Sequence, residues 1–305
     1  MADAIQIRMG GYGPQTTTHS RALKFIGDRL EAQFGDRVEV KYIWNIMDFG
    51  YRGDEIMWLT EAGFLTLSYQ STSYLTHRVP ELGFVDLPFL FPDLAAARAA
   101  FDGALGQHLI ERVEAQYNFR VLGFFENGFR HISNRLRPIH RPEDLAGMKI
   151  RMLPSDIHER TFKLFGADPI QMDLTEAIAG VKDGSLDAQE NPLANTATYG
   201  VHNYHPYHTL SGHFYLSRGI WSHRDTVDAW PDDLRAAMAA IIPEAVAYQR
   251  GLAVEEEDVS RQTIEAAGCE IVELTEEEHA AFVAKVAPLH DEARGIFGDA
   301  MFEML

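Results

Sequence analysis

Two arginines in the chain have the chemistry and the setting to bind an anion. Arg130 follows the apolar, strand-like stretch VLGFF, and Arg151 lies inside another, MKIRML. A guanidinium presents a rigid fork of donors that matches a carboxylate. Because Arg151 stands between Ile150 and Met152, its side chain projects to the opposite face of the strand from theirs. We therefore expect a carboxylate-binding site; the alternative for each arginine is a structural salt bridge with one of the 45 acidic residues.

The segment SLDAQENPL is polar at a place where a strand should begin. It supplies Asp187, Gln189, Glu190 and Asn191 directly before Pro192. The proline disfavours helix at the preceding asparagine and holds it extended, and an amide there can both donate and accept. Ligands of parallel sheets bind just outside the carboxyl ends of the strands. We therefore predict that Asn191 contacts a ligand, with an Asx turn among solvated neighbours as the alternative.

Alternating strand and helix patterns should position these groups. Strand-like periodicity appears in AIQIRMG, RVEVKYIW and FLTLSYQ, and a helical pattern runs through THSRALKFIGDRLEAQF to Gly35. MKIRML and the segments after it repeat this alternation of strand and helix. GFVDLPFLFPD has two prolines in an apolar run, which predicts a packed loop or edge segment. A helical region of about 40 residues after Val227 carries Pro243 as a kink. The pattern predicts an α/β fold of two lobes, each a mostly parallel sheet flanked by helices, with the long helix spanning both.

The predicted lobes are discontinuous in sequence. We place residues 1–125 and about 213–252 in lobe 1, and residues 126–212 and about 253–305 in lobe 2. No tandem repeat or low-complexity linker separates them. The ligand cleft is expected between the two lobes, which would join through structured crossovers as a hinge requires.

Composition excludes several classes of function. The net charge of −18 over 305 residues argues against a nucleic acid or an anionic membrane as partner. The single cysteine, Cys269, excludes a disulfide framework and a cysteine-based zinc site. No stretch approaches the roughly 20 apolar residues of a membrane helix. No signal peptide is expected in MADAIQIRM, an opening that would also fit a chain whose leader has been removed.

Other motifs do not support catalysis or a cofactor. VHNYHPYHTLSGHF, with four histidines, is predicted as a surface loop, with a metal site as the weaker alternative because Pro206 breaks any helix there. GGYGP lacks the third glycine of a dinucleotide fingerprint. The chain has no nucleophile elbow, zinc-protease motif or phosphate-binding lysine loop. We predict no catalytic residue, no metal and no cofactor.

Three segments together resemble a known family. ENGFRHISN…RPIHRPEDLAGMKIRM, GADPIQMDLTEAIAGVKDGSLDAQENPLAN and STSYLTHRVPELGFVDLPFLF are similar, in this order, to the solute-binding proteins of tripartite ATP-independent periplasmic (TRAP) transporters. The resemblance implies a two-lobed periplasmic receptor that closes on an organic acid and delivers it to a membrane permease. It also implies that Arg151 clamps the ligand carboxylate, that Arg130 and Asn191 contact the ligand, and that His213 packs behind the pocket. Some members hold a cation beside the ligand, for which Glu190 or Gln189 would serve, and Glu190 is also a candidate ligand contact.

The first lobe departs from the family pattern, and it is the lobe that tends to set specificity. FLTL stands at 64–67 where members often have LDMA, and WNIMDFGYRGD lacks the usual proline and glutamine. Candidate contacts at strand ends, each with an ordinary loop residue as the alternative, are Tyr12, Gln15, Trp44, Asn45, Gln70, Ser71 and Tyr74. The particular acid is left open.

The sequence therefore predicts a monomeric periplasmic receptor rather than an enzyme. Its partners would be a small organic acid anion and the subunits of a TRAP permease. Two alternatives remain at this point. One is a small-molecule enzyme that uses histidine and glutamate in the same cleft, and the other is a binding protein that reports to a membrane sensor.

Overall fold

The computed structural model describes residues 4–305, which divide into two units. Unit 1 comprises residues 4–71, Gly106–Glu126 and Ser217–Val254; unit 2 comprises Thr72–Leu105, Asn127–Leu216 and Glu255–Leu305. The predicted division assigned residues 72–105 to the first lobe, whereas in the structure they belong to unit 2. The reason is local packing: the ring of Phe84 lies edge-on to Phe297 and Phe302, with centroids 5.7 and 4.9 Å away.

Unit 1 is built on parallel strands with a helix after each of the first two. Its elements are β1 (Ile5–Gly10), α1 (Thr18–Phe34), β2 (Val38–Ile43), α2 (Glu55–Glu61), β3 (Leu67–Ser71) and α8 (Arg224–Asp228). β1 pairs in parallel with β2 and β3, and β3 pairs antiparallel with the end of β8 (Tyr207–His223). Thr17 caps α1 by accepting from the Ser20 N–H, and Gly35 ends the helix with φ of 52°, a conformation that glycine adopts without steric cost.

Unit 2 has a second sheet region around β5. Its elements are α3 (Leu94–Asp102), β5 (Lys149–Met152), α5 (Asp156–Leu164), β6 (Asp168–Gln171), α6 (Leu174–Asp183), β7 (Ala188–Asn191), α7 (Leu193–Thr198), β9 (Glu270–Glu273), α10 (Glu276–Phe297) and α11 (Asp299–Phe302). β5 pairs in parallel with β6 and β7, β7 pairs antiparallel with β4 (Phe119–Asn134), and β9 runs parallel to the start of β8. Short 3-10 helices at Thr72–Leu75, Pro80–Asp86, Pro142–Leu145 and Val201–Asn203 connect these elements.

Four elements contribute residues to both units: α4 (Ala104–Gln116), β4, β8 and α9 (Asp232–Ala266). The predicted mixed α/β class with mostly parallel pairing is confirmed, as is the long helix, which has 35 residues with Pro243 inside it. The polar segment does form a strand, β7, directly before Pro192. Within residues 4–305, no helix is both long and apolar enough to cross a membrane.

Three local predictions differ from the structure. The third strand begins only at Leu67, three residues into FLTLSYQ. GFVDLPFLFPD begins inside the 3-10 helix Pro80–Asp86, and only its remainder, residues 87–93, is the predicted packed loop. The histidine-rich segment is not a surface loop: His205, His208 and His213 are buried, because β8 starts at Tyr207 and carries the last two of them into the core.

Candidate functional site

Arg151 is a buried cation whose hydrogen-bond partners are neutral. It lies on β5 with 1% of its surface exposed. Its Nε donates to the Met172 carbonyl at 2.9 Å, and its Nη2 donates to the Tyr74 hydroxyl at 3.3 Å. Within residues 4–305, no carboxylate lies within ion-pair distance of this guanidinium. These contacts orient the fork of donors and leave its charge without a counterion.

Arg130 is also buried, but a carboxylate occupies its fork. The Nε and Nη2 of Arg130 on β4 donate to the carboxylate of Glu190 on β7, with Nη2 2.7 Å from Oε1. Nη2 also donates to the Glu190 carbonyl. Their side chains are 2% and 0% exposed. The salt-bridge alternative therefore describes the Arg130 contact seen here, and ligand contacts by Arg130 and Glu190 stay predictions.

A histidine joins this buried pair. The Nε2 of His213 lies 3.6 Å from Oε2 of Glu190, and its Nδ1 lies 2.7 Å from the Ser211 hydroxyl. Burial acts to raise the pKa of Glu190, but the charge of Arg130 and the His213 contact outweigh it and hold the pKa well below its usual range. Burial lowers the pKa of His213. Glu190 is thus an ionised carboxylate held between two basic side chains.

Asn191 ends β7 with its amide bound on both sides. Its Nδ2 donates to Oε1 of Gln189, and its Oδ1 accepts from Nδ2 of Asn195 at 3.2 Å. Gln189, the register partner of Arg151, donates to the Ser133 hydroxyl at 2.6 Å. A small pocket beside Gln189 and Asn191 has mainly apolar lining, contributed by Leu174, Ala177, Ile178, Val181, Tyr199 and Val201. The strand that carries the amides therefore borders both the arginine-bearing strand and an apolar recess.

Tyr74, predicted in the first lobe, lies in unit 2 and meets Arg151 there. The other candidates predicted in the first lobe lie in unit 1. Gln70 and Ser71 are buried at the end of β3: Nε2 of Gln70 donates to the Gly53 carbonyl at 2.9 Å, and its Oε1 accepts from the Ser71 N–H at 2.8 Å. This end of β3 is polar and tightly bonded.

The remaining unit 1 candidates differ in setting. Tyr12 is buried, with its ring centroid 5.3 Å from that of Tyr69. Trp44 is partly buried and stacks on Tyr42 at 4.4 Å, and Asn45 caps the 3-10 helix Ile46–Phe49 by accepting from the Met47 N–H. Gln15 is exposed. Tyr12 is thus part of an aromatic cluster, whereas Gln15 lies at the surface.

Arg218, Asp86 and His158 are among the buried polar residues that sequence analysis missed. Arg218 on β8 lies over the rings of Tyr12 and Tyr69, at 5.1 and 5.8 Å. Arg218 lies inside the strand-like run LSRGIW. The same kind of position, an arginine within an apolar strand, identified Arg151 as a candidate. Asp86 and His158 are both fully buried in unit 2. Asp86 was detectable as a lone acid in the apolar run FVDLPFLF, whereas nothing in its local sequence marks His158.

A buried arginine oriented by neutral oxygens on an α/β scaffold is suited to binding a small anion, and this is the chemistry of a solute-binding protein. Residues 9–295 match the family model described as bacterial extracellular solute-binding protein, family 7. The chain belongs to this family, whose members are receptors and not enzymes. Within residues 4–305, no cluster of histidine, cysteine, aspartate and glutamate is arranged to hold a metal ion.

Relatives agree with the family assignment. The C4-dicarboxylate-binding periplasmic protein DctP of Rhodobacter capsulatus is 32% identical over 70% of this chain and 64% of its own. A TRAP periplasmic solute-binding protein from Sulfurospirillum deleyianum with bound succinate is 28% identical, with a TM-score of 0.92 over 99% of this chain and 98% of that one. Another, from a Polaromonas species and bound to D-erythronate, is 26% identical, with a TM-score of 0.91 over 97% and 96%. The predicted similarity to TRAP solute-binding proteins is confirmed.

Proposed function

We propose that this protein is a periplasmic receptor that binds a small organic acid through its carboxylate, with Arg151 as the clamp, and delivers it to a TRAP permease. The observation that carries the proposal is the buried guanidinium of Arg151, which has two neutral partners and, within residues 4–305, no counterion. A buried charge without a partner is costly. A carboxylate that reaches the remaining donors of this fork removes that cost.

The neighbouring groups support the same ligand class. The Met172 carbonyl and the Tyr74 hydroxyl hold the guanidinium in one orientation, so little ordering is needed when the anion arrives. Arg130 contributes positive charge that Glu190 largely offsets. The amide of Asn191 is the proposed polar contact for the part of the ligand beyond its carboxylate. A charge-assisted hydrogen bond of this kind contributes about 1.5–3 kcal/mol net.

The relatives point to organic acids of different sizes. The names of two of the proteins compared above specify C4-dicarboxylate binding and bound succinate, and a third holds D-erythronate. All of these molecules carry a carboxylate, which is the group that Arg151 would bind. Delivery to a TRAP permease follows from the resemblance of the chain to the binding subunits of those transporters.

A thermal-shift screen tests the ligand class. The panel contains succinate, D-erythronate, other dicarboxylates, sugar acids, hydroxy and keto acids and aromatic acids, with amines and neutral sugars as controls. A ligand at about 100 times its dissociation constant adds about 2.7 kcal/mol of stability, which is visible as a raised Tm. Responses confined to carboxylates support the proposal, whereas responses confined to amines or neutral sugars contradict it. Recovery of the acid chemically unchanged after incubation separates a receptor from an enzyme.

The permease step needs a separate assay. Uptake of the identified acid is measured in proteoliposomes that contain a TRAP permease from the same genome. Uptake that depends on this protein supports delivery. Tight binding of the acid without any stimulation of uptake, while a known receptor–permease pair works in parallel, contradicts it and favours a sensor.

A further inference from the structure

Asp86 is a fully buried acid at the end of the 3-10 helix Pro80–Asp86, and the anion site described above does not include it. We propose that Asp86 is a positioning residue for that site: it holds the turn that carries Tyr74 and thereby orients Arg151. The inference rests on the proposed function, because it concerns the arginine that would bind the carboxylate.

A chain of hydrogen bonds joins Asp86 to the arginine. The buried Ser73 hydroxyl donates to Oδ1 of Asp86 at 2.7 Å. Ser73 precedes Tyr74 within the 3-10 helix Thr72–Leu75, and Nη2 of Arg151 donates to the Tyr74 hydroxyl at 3.3 Å. Since 3-10 helices are short and weakly bonded, the Ser73–Asp86 bond adds a constraint on where the tyrosine lies.

The same turn is tied to the chain that follows Arg151. The Thr76 hydroxyl lies 3.2 Å from the Pro154 carbonyl. The next residue, Ser155, directly precedes α5 and lies close enough to the Asp86 carboxyl for its hydroxyl to lower the pKa of that carboxyl. Asp86 therefore links the segment before Tyr74 to the segment after β5, the strand that carries Arg151.

The surroundings of Asp86 favour its neutral form. Its Oδ2 is buried and has no hydrogen-bond partner among the described residues, and the same holds for both ring nitrogens of His158, although Nε2 lies 3.7 Å from Oδ1. A carboxylate normally needs donors on both oxygens when it is buried. Ionisation of Asp86 would therefore place a poorly compensated negative charge in unit 2.

Among the described residues, the charged and titratable groups nearest to Asp86 include His158 on α5, Glu190 on β7 and Arg130 on β4. From α10, His290 contacts the Pro88 carbonyl, two residues beyond Asp86. Burial raises the pKa of Asp86 to about 7, helped by the charge of Glu190 and opposed by the Ser155 and Ser73 hydroxyls and by Arg130. Burial lowers the pKa of His158 to about 3, so it stays neutral, and Glu190 stays ionised because its pKa is well below the usual range. Near neutral pH, Asp86 is thus the member of this cluster whose charge changes.

The inference predicts a pH dependence of anion binding with a definite sign. As pH rises through about 7, Asp86 ionises and its charge repels an incoming carboxylate. We expect the affinity of the wild-type protein for succinate or D-erythronate to fall about two- to fivefold between about pH 6 and about pH 8. Asp86→Asn keeps an acceptor for Ser73 but does not titrate, so its affinity should not change over this range.

Calorimetric titration of the two acids into the full-length variants provides the test. Ser73→Ala removes the hydroxyl that joins Asp86 to the turn and should weaken binding roughly three- to tenfold at about pH 6. Glu257→Gln is the matched control, because burial also raises the pKa of Glu257 on α9 to about 7, and this carboxyl is bonded to the Ala194 N–H and not to the turn. This variant should keep the wild-type pH dependence.

The outcomes separate this inference from the proposed function. A pH dependence that persists in Asp86→Asn, or that disappears in Glu257→Gln, overturns the positioning role, as does wild-type affinity in Ser73→Ala. If Arg151→Ala loses binding while the Asp86 and Ser73 variants match the wild type, only the inference fails. If Arg151→Ala binds as tightly as the wild type, or if the wild type responds to no carboxylate, the proposed function fails as well. Ser73→Ala keeps the test decisive if Asp86→Asn does not fold.

Discussion

The guanidinium of Arg130 and the carboxylate of Glu190 form a buried two-point ion pair in unit 2, with Nη2 2.7 Å from Oε1. Arg151 lies on β5, on the other side of β7 from Arg130. Among residues 4–305, its hydrogen-bond partners are neutral oxygens. Two arginines with the same kind of local sequence therefore have different electrostatic states, and Arg151 is the one that we propose as the anion clamp.

Replacing Arg151 tests the proposed clamp directly. Arg151→Ala should reduce affinity for the bound acid at least about tenfold, because a charge-assisted bond contributes about 1.5–3 kcal/mol. Arg151→Lys keeps the charge but loses the planar fork, so its affinity should lie between those of the wild type and Arg151→Ala. Calorimetry with the acid found in the screen measures both.

Arg135→Ala is the control for that series. Arg135 is also in unit 2, but it is 43% exposed and pairs with Asp187 at 2.7 Å. Its removal should leave affinity unchanged. Equal losses in Arg135→Ala and Arg151→Ala would mean that general charge, and not the clamp, determines binding.

The Arg130–Glu190 pair should show strong energetic coupling. Arg130→Met leaves a buried carboxylate without its partner, and Glu190→Gln leaves a buried guanidinium without its own. Each change should lower the free energy of unfolding by about 3–5 kcal/mol. The double variant leaves neither charge alone and should lose much less than the sum. Urea unfolding of the four proteins measures the coupling, and strictly additive losses would show that the pair is not a unit.

His158 should make the protein sensitive to acid. Its side chain is fully buried and stacks on Phe214 at 4.0 Å, and burial lowers its pKa from the ordinary 6.5 to about 3. Between these two pH values, His158 binds a proton in the unfolded chain but not in the folded chain. The contribution of His158 to stability is therefore present above about pH 6.5 and is lost as pH falls. Between about pH 7 and about pH 4.5, we expect the free energy of unfolding to fall by about 2 kcal/mol less in His158→Phe than in the wild type.

The wild type must be compared with His158→Phe, because Asp86 changes stability with pH in the opposite direction and is present in both proteins. Its pKa is raised to about 7 by burial, so its contribution favours the folded state below its ordinary value of 3.8 and is lost as pH rises. Chemical denaturation at each pH gives the two curves. Parallel curves would show that His158 is protonated without cost in the folded state.

Two helical glycines should respond oppositely to alanine. A Cβ at Gly27 in α1 would lie 1.8 Å from the Tyr42 hydroxyl, whereas a Cβ at Gly251 in α9 would have no neighbour within 4 Å. Alanine favours a helix over glycine by about 1 kcal/mol, so Gly251→Ala should raise the Tm. Gly27→Ala should lower the Tm, and the free energy of unfolding should fall by roughly 1–3 kcal/mol, because Tyr42 must move from its stack on Trp44. If Gly27→Ala raised the Tm instead, the stack of Tyr42 on Trp44 could rearrange without loss of stability.

Local sequence accounts for most of the elements. The helix that ends at Gly35 and the helix that ends at Gly184 were predictable, because both glycines have positive φ, 52° and 76°, which other residues avoid. The strand at Arg151 was predictable from its apolar neighbours, and β7 from the proline that follows it. These features depend on steric preferences within a few residues of each other.

Partner choice and burial depend on residues far apart in the chain. Arg130 and Glu190 are 60 residues apart, and Asp86 is 13 residues from Ser73 and 72 from His158, so no spacing rule connects them. The burial of His205, His208 and His213 likewise depends on the position of β8 within its sheet. The sequence by itself determined the strands, the helices and the family resemblance, since these follow from local sterics and from ordered motifs. Only the tertiary structure decided which arginine keeps its charge unpaired, because a guanidinium is neutralised by whichever carboxylate the fold places beside it.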